Sequence, residues 1–220
     1  MTTPRKPEER VIGTCRDFAL LFVSMARHQG LPARIRIGFA PYLSGPLNYD
    51  HRIAEYWDRT QARWVLIDPQ IDEITRQSND AMTFDPLDMT FDREFYLAGA
   101  VWLRCRAEKA NPFDFADAPD DAGFPAIRYC VIQELERLNK IELLGWDDWS
   151  HYLLTKPEGE LSDEDIKLVD QIAELTLDVD KNFGSLQSLY AAMPDYQQAQ
   201  TKMSEMGLLS ICEPKRNFIS

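Results

Sequence analysis

The chain of 220 residues contains no apolar run near the roughly 20 residues that a membrane-spanning helix needs, so no transmembrane segment and no membrane partner are expected. Its first ten residues, Met1 to Arg10, lack the apolar centre of a secretory signal, which makes a cytoplasmic location the expectation. The four cysteines, Cys15, Cys105, Cys130 and Cys212, form no CxxC pair and no Cys/His cluster. Neither a zinc site nor a disulfide framework is indicated, and free thiols are expected. An EF-hand series of Asp and Asn is missing too, so no calcium is implied. Basic residues are in deficit, 24 against 36 acidic, and the net charge of −12 repels nucleic acid at long range. The cations Arg34, Arg36 and Arg52 are therefore expected to pair with surrounding carboxylates. No internal repeat is visible. What remains is 45% hydrophobic and 27% charged, the composition of a globular protein able to bury a real core.

Cys15 lies where a turn gives way to a helix. A thiol in a first helical turn meets unpaired backbone N–H groups and the positive end of the macrodipole, which favour the thiolate. Thr14 and Asp17 have capping-box spacing, and Phe18, Ala19, Phe22, Met25 and Ala26 follow as the apolar series of a buried helix. Gly30 and Pro32 predict its end. Ala33 to Phe39 alternates arginine and isoleucine as a half-buried strand does, and the prolines of the 41–50 segment mark a loop. His28 is expected near the carbonyls that end the first helix, and His151 on a helix face.

Residues 51–57 and 63–68 read as two strands of an antiparallel hairpin. If Arg59-Thr60 is a two-residue loop, Asp58 opposes Gln61 and His51 falls directly opposite Asp68. Opposed residues share a face with Cβ atoms about 4.5–5.5 Å apart, within reach of an imidazole–carboxylate bond. A slip of one residue would separate them. Glu55 is expected to contact the site or to bridge to Arg34 or Arg36. Beyond Asp68 the strand signal disappears. Helices are expected over 92–108, 127–139 and 162–177, the last capped by Ser162 with Asp165 three residues on, and again through the last forty residues with breaks at Gly184, Pro194 and Gly207. Residues 111–123 read as a linker. Cys105, Cys130 and Cys212 are expected to pack in the core.

The motifs Gly13-Thr14-Cys15, Gly30-Leu31-Pro32-Ala33-Arg34, Asp50-His51 with Glu55, and Trp64-Val65-Leu66-Ile67-Asp68-Pro69 follow one another in order. This pattern resembles the transglutaminase-like superfamily, a papain-related group of thiol enzymes. The resemblance implies an α+β fold, a helix packed on a small antiparallel sheet over residues 1–90, with a mainly helical C-terminal extension over 91–220. That extension, with Trp146-Asp147-Asp148-Trp149, looks like one seen in bacterial members.

By position the resemblance assigns Cys15 as nucleophile, His51 as general base and then acid, and Asp68 as orienter of the imidazole, with no cofactor. The expected function is a thiol hydrolase or acyltransferase acting on an amide bond of a peptide or protein. The alternative is a catalytically silent binding protein of the same fold. Two departures stand out. Relatives draw a second oxyanion donor from upstream of the nucleophile, where this chain has fourteen residues. Ile53 also stands where many relatives place tryptophan.

Overall fold

The computed structural model describes residues 6–9, 12–43, 45–118, 120–144, 147, 150–193, 201 and 205. Cys212, Pro194, Gly207 and the tryptophans Trp146 and Trp149 lie outside the described residues.

Helix α1 spans Cys15–His28. The Asp17 carboxylate accepts from the Thr14 N–H at 2.9 Å and from its hydroxyl at 3.2 Å, which ties the cap as the spacing predicts. At the other end Leu31 N–H reaches back to Ala26 O at 3.0 Å, and Gly30 takes φ +74°. The buried face differs from the expected apolar series. It consists of Arg16, Ala19, Val23 and Ala26, while Phe18 and Met25 are 39% and 54% exposed. Small side chains face the sheet and let the helix axis approach it, which turns the larger apolar ones outward.

The sheet contains β1 (Ala33–Ala40), β2 (Asn48–Asp58), β3 (Arg63–Ile67), β4 (Tyr96–Leu97), β5 (Phe115–Ala118) and β6 (Asp121–Ala122). Its order is β4-β1-β2-β5-β6, with β3 also pairing β2. All neighbours are antiparallel except β2 and β5, so the sheet is mixed. One edge of β2 is shared: β5 takes Asn48 and Tyr49, and β3 takes Ala54 to Asp58. Residues 50–53 between them ladder only with β1. This gap holds His51.

Strand alternation gives the two faces different work. Ile35, Ile37, Phe39, Ala54, Val65 and Ile67 join Ala19, Val23 and Ala26 in the main core. Ala40, Ile53 and Leu66 join a second cluster with Tyr42, Met82, Met89, Phe95 and Leu97.

After the short helix α2 (Glu73–Gln77) come α3 (Ala98–Arg106), α4 (Phe124–Leu138), α5 (Asp163–Leu177) and α6 (Val179–Ala192). The fold is α+β with a mainly helical C-terminal part. Ser162 caps α5 as expected, and Asp165 accepts from the Ser162 N–H at 2.8 Å. Three expectations fail. Helix α6 runs unbroken through Gly184, where a break was expected. The helix expected from residue 92 starts at Ala98, because Tyr96 and Leu97 pair with Phe39 and Gly38. The expected linker over 111–123 holds β5 and β6. Strands of four residues or fewer carry too little alternation to be read from sequence. The main core continues into these helices through Trp102, Ile127, Val131, Leu135, Val169 and Ile172.

Gly38 allows the approach of β4. A Cβ there would sit 2.0 Å from Tyr96 O and 2.9 Å from the Phe95 ring. Since the first of these atoms is backbone, it cannot step aside. Gly38→Ala is expected to destabilise the protein by about 3 kcal/mol, seen as a lower urea midpoint.

Candidate active site

His51 sits on β2 opposite Gly38, and Asp68 follows the last residue of β3. The hairpin register differs from the expected one. Asp58 faces Arg63, not Gln61, so the loop is the four residues 59–62. The Asp58 carboxylate causes this, because its Oδ1 accepts from Thr60 N at 2.7 Å, Thr60 Oγ1 at 2.6 Å and Gln61 N at 3.2 Å. Ala62 completes the loop at φ +50°. The register moves by two residues, which preserves the face because side chains alternate with period two. His51 and Asp68 are therefore diagonal neighbours, and Nε2 lies 2.6 Å from Oδ2.

Asp68 is fully buried and its acceptors are filled. Oδ1 accepts from the Gln70 N–H at 2.9 Å, and Oδ2 takes the Tyr42 hydroxyl at 2.8 Å besides His51. Burial alone would raise its pKa, but the charge and hydrogen bond of His51, with Gln70 and Tyr42, hold it below the ordinary carboxylate range. Burial would lower His51; hydrogen bonding and charge from Asp68, then from Cys15, outweigh it and push His51 up to about 10.

Cys15, the first residue of α1, is partly exposed and lies beside His51. Since Nε2 is held by Asp68, Nδ1 is the ring nitrogen left for another partner. Burial pushes the thiol up, but the His51 hydrogen bond and charge, aided by Arg52, bring it below its ordinary value. His51 thus pairs with Asp68 and neighbours Cys15 at the start of α1. The N–H groups of Cys15 and Arg16 have no intrahelical acceptor by helix geometry, so they are free to face a developing oxyanion.

Three residues of this neighbourhood were not identified from the sequence as part of it. Tyr42, expected only as part of a loop, is 3% exposed, and its ring meets the His51 ring edge-on at 6.0 Å and 89°. Asn79 Nδ2 anchors its carbonyl at 2.9 Å. Burial and the Asp68 charge raise the Tyr42 pKa far above the ordinary value, so it remains a donor. Arg16 is buried and donates to Leu143 O at 2.6 Å and Glu142 O at 2.8 Å, which ties the start of α1 to the segment after α4. Arg52 is clamped by Asp50 at 2.5 Å and by Gln133 of α4 at 2.6 Å. Apart from the Arg52–Asp50 pair, no local pattern marks these contacts, since each joins segments remote in sequence.

Tyr42→Phe keeps the ring and removes the hydroxyl. The Asp68 carboxylate is then less firmly held, and the apparent pKa of Cys15 is expected to rise by about half a unit to one unit. The pH dependence of iodoacetamide alkylation measures this. A change confined to packing would leave that profile in place.

The remaining candidates have other tasks. Glu55 Oε2 accepts from Arg34 Nε at 2.6 Å and Arg36 NH1 at 3.0 Å, so it is an ion-pair residue. Cys105 and Cys130 are free and buried as expected, and burial pushes both thiols up. His28 is exposed in the last turn of α1. His151 lies off the regular helices; it is buried, stacks on Tyr152 at 4.8 Å, and accepts from the Leu153 N–H. Among the described residues no group of three or more His, Cys, Asp or Glu is arranged to hold a metal ion, and no helix is long and apolar enough to cross a membrane.

Residues 4–69 match the family model of the transglutaminase-like superfamily. No curated protein and no solved structure matches the chain. The matched stretch includes Gly13, Cys15, the Gly30–Arg34 motif, His51 and the Asp68-Pro69 end of the hairpin. The likeness to the transglutaminase-like superfamily thus extends over the helix and the first three strands, the stretch that carries Cys15, His51 and Asp68.

Proposed function

We propose that the protein is a thiol-dependent hydrolase or acyltransferase acting on an amide bond of a peptide or protein. The observation that carries this reading is the buried His51–Asp68 pair, Nε2 to Oδ2 at 2.6 Å, beside the thiol that opens α1. The opposed shifts favour a thiolate–imidazolium pair. In this reading His51 acts first as the acid and then as the base.

The Cys15 thiolate attacks the carbonyl carbon, and the oxygen takes up negative charge beside the first N–H groups of α1. His51 Nδ1 passes its proton to the leaving amine as the C–N bond breaks, which leaves a thioester on Cys15 and a neutral imidazole. Water or a second amine then attacks the thioester while His51 takes its proton, and the thiolate departs. Asp68 keeps Nε2–H in place throughout, so the proton moves only at Nδ1. Water gives hydrolysis; an amine gives transfer.

Iodoacetamide alkylation of Cys15 across pH, together with the release of nitrophenol from p-nitrophenyl acetate, tests the reading. The alkylation profile is expected to fall at an apparent pKa well below the ordinary value of about 8.5, with a nitrophenol burst that Cys15→Ser abolishes. A profile centred near 8.5 with no burst would leave a silent binding protein of the same fold.

A further inference from the structure

A concave site lies at the far end of α1, about 18 Å from Cys15 by the helical rise between residues 15 and 27. It is a cleft of about 520 Å³ between the end of α1, the start of β1, the end of α4 and α6. Its charge is opposite to that of the whole chain. Arg27, Arg34, Arg137 and Lys140 line it against a single carboxylate, Asp180, although the protein carries a net charge of −12.

Two of these cations are committed to the protein. Arg34 bonds Glu55 and Asp180, each at 2.6 Å, and lies 3.7 Å over the Trp64 ring. Arg137 donates to Leu143 O at 2.8 Å and lies 3.6 Å from Glu142. The other two retain donors. Arg27 uses Nε on Ala33 O at 2.9 Å, and the Lys140 ammonium has no hydrogen bond or ion pair among the described residues. The protein packed around the Arg27 guanidinium pushes its pKa below the ordinary arginine value, with only Glu142 opposing. Cations at the ends of α1 and α4 suit the helix dipoles, but that does not account for the aromatic walls between them. Trp64 and Phe183 both face the cleft, and Phe183 stays 41% exposed. Free donors beside apolar walls, in a space of this volume, are the features of a small-molecule pocket.

We propose that this cleft binds a small organic anion, a carboxylate or phosphate carried on a flat apolar body. The acid group lies between Arg27 and Lys140, and the body lies against Trp64 and Phe183. The Arg34–Asp180 pair fixes the Trp64 indole, whose Nε1 donates to Asp180 at 2.5 Å. The site is separate from the thiol and needs no chemistry there.

The probe is 8-anilinonaphthalene-1-sulfonate, a flat anion whose emission rises on binding, titrated into the full chain and then displaced. Phenyl phosphate is expected to displace it at least about tenfold better than inorganic phosphate does, since only the former fills the apolar part. Arg27→Gln and Lys140→Asn are each expected to weaken the probe about tenfold, with Arg93→Gln, an exposed cation elsewhere, unchanged. Asparagine suits position 140 because its φ is +64°. Circular dichroism and Cys15 alkylation, unchanged in both variants, verify the fold. Equal binding by all three variants overturns the proposal, as does displacement by inorganic phosphate as readily as by phenyl phosphate.

Discussion

His51→Ala is expected to raise the apparent pKa of Cys15 and to slow its alkylation at pH 7 by at least about tenfold, the equivalent of one pKa unit or more. The direction follows from the balance at the thiol. Burial pushes it up, and the hydrogen bond and charge of His51 are the largest opposing influences. Without the imidazole Arg52 is the remaining side-chain charge that favours the thiolate, against burial and the Asp50 carboxylate. Because Arg52 is already held by Asp50 and Gln133, it cannot swing in to replace the lost partner. Asp68→Asn should fall between the variant and the native protein: the imidazole remains, but its Nε2 proton loses a charged acceptor and its pKa drops from about 10. Alkylation rates measured from pH 5 to 10 separate the three proteins. Superimposable profiles for the native protein and His51→Ala would remove the basis for a catalytic thiol.

Arg36→Met is expected to be among the most damaging single changes to the fold, at about 3–5 kcal/mol, the cost of leaving buried charge without its partner. Arg36 is 2% exposed and bonds Glu134 at 2.8 Å, Glu55 at 3.0 Å and Thr176 O at 2.9 Å. One guanidinium thus joins β1 and β2 to α4 and α5. Glu134 is fully buried, and its Oε2 has no hydrogen-bond partner.

The pH dependence has a definite sign. Burial raises the Glu134 pKa and Arg36 opposes that rise, so removing Arg36 moves it further up. A carboxyl whose folded pKa is raised favours the folded state at acid pH and loses that contribution as pH rises through the folded value. The penalty of Arg36→Met should therefore be smaller at pH 5 than at pH 8 in urea unfolding. Arg36→Met with Glu134→Leu should recover much of the loss, because an apolar pair of similar volume needs no counterion. An equal penalty at both pH values, with no recovery in the double variant, would mean that Arg36 contributes by packing alone.

The parts of this site that were legible in the sequence are those governed by local rules. Thr14, Asp17 and Gly30 set the limits of α1 through caps that involve residues three to five apart. Ser162 and Asp165 do the same for α5. His51 and Asp68 were matched to one face because strand parity survives a register error of two residues. The register itself was not legible, since it depended on Asp58 closing a four-residue loop where a two-residue loop was also possible. The buried face of α1 was legible only in part: Ala19 and Ala26 are buried and Phe22 packs against the core, but Phe18 and Met25 turn outward and the sheet selects the smaller Val23.

By itself the sequence determined the cap that places Cys15 in a first helical turn, the parity that puts His51 and Asp68 on one face, and the charge balance that commits most buried arginines to carboxylates. Those properties depend on backbone geometry over a few residues and on composition. Only the tertiary structure decided that Tyr42 shares the Asp68 carboxylate, that Arg16 and Arg52 are anchored by the segments around Leu143 and Gln133, and that four cations meet in one cleft far from the thiol. Each of these contacts closes a loop of more than twenty residues, and no local preference records which distant groups packing will bring together.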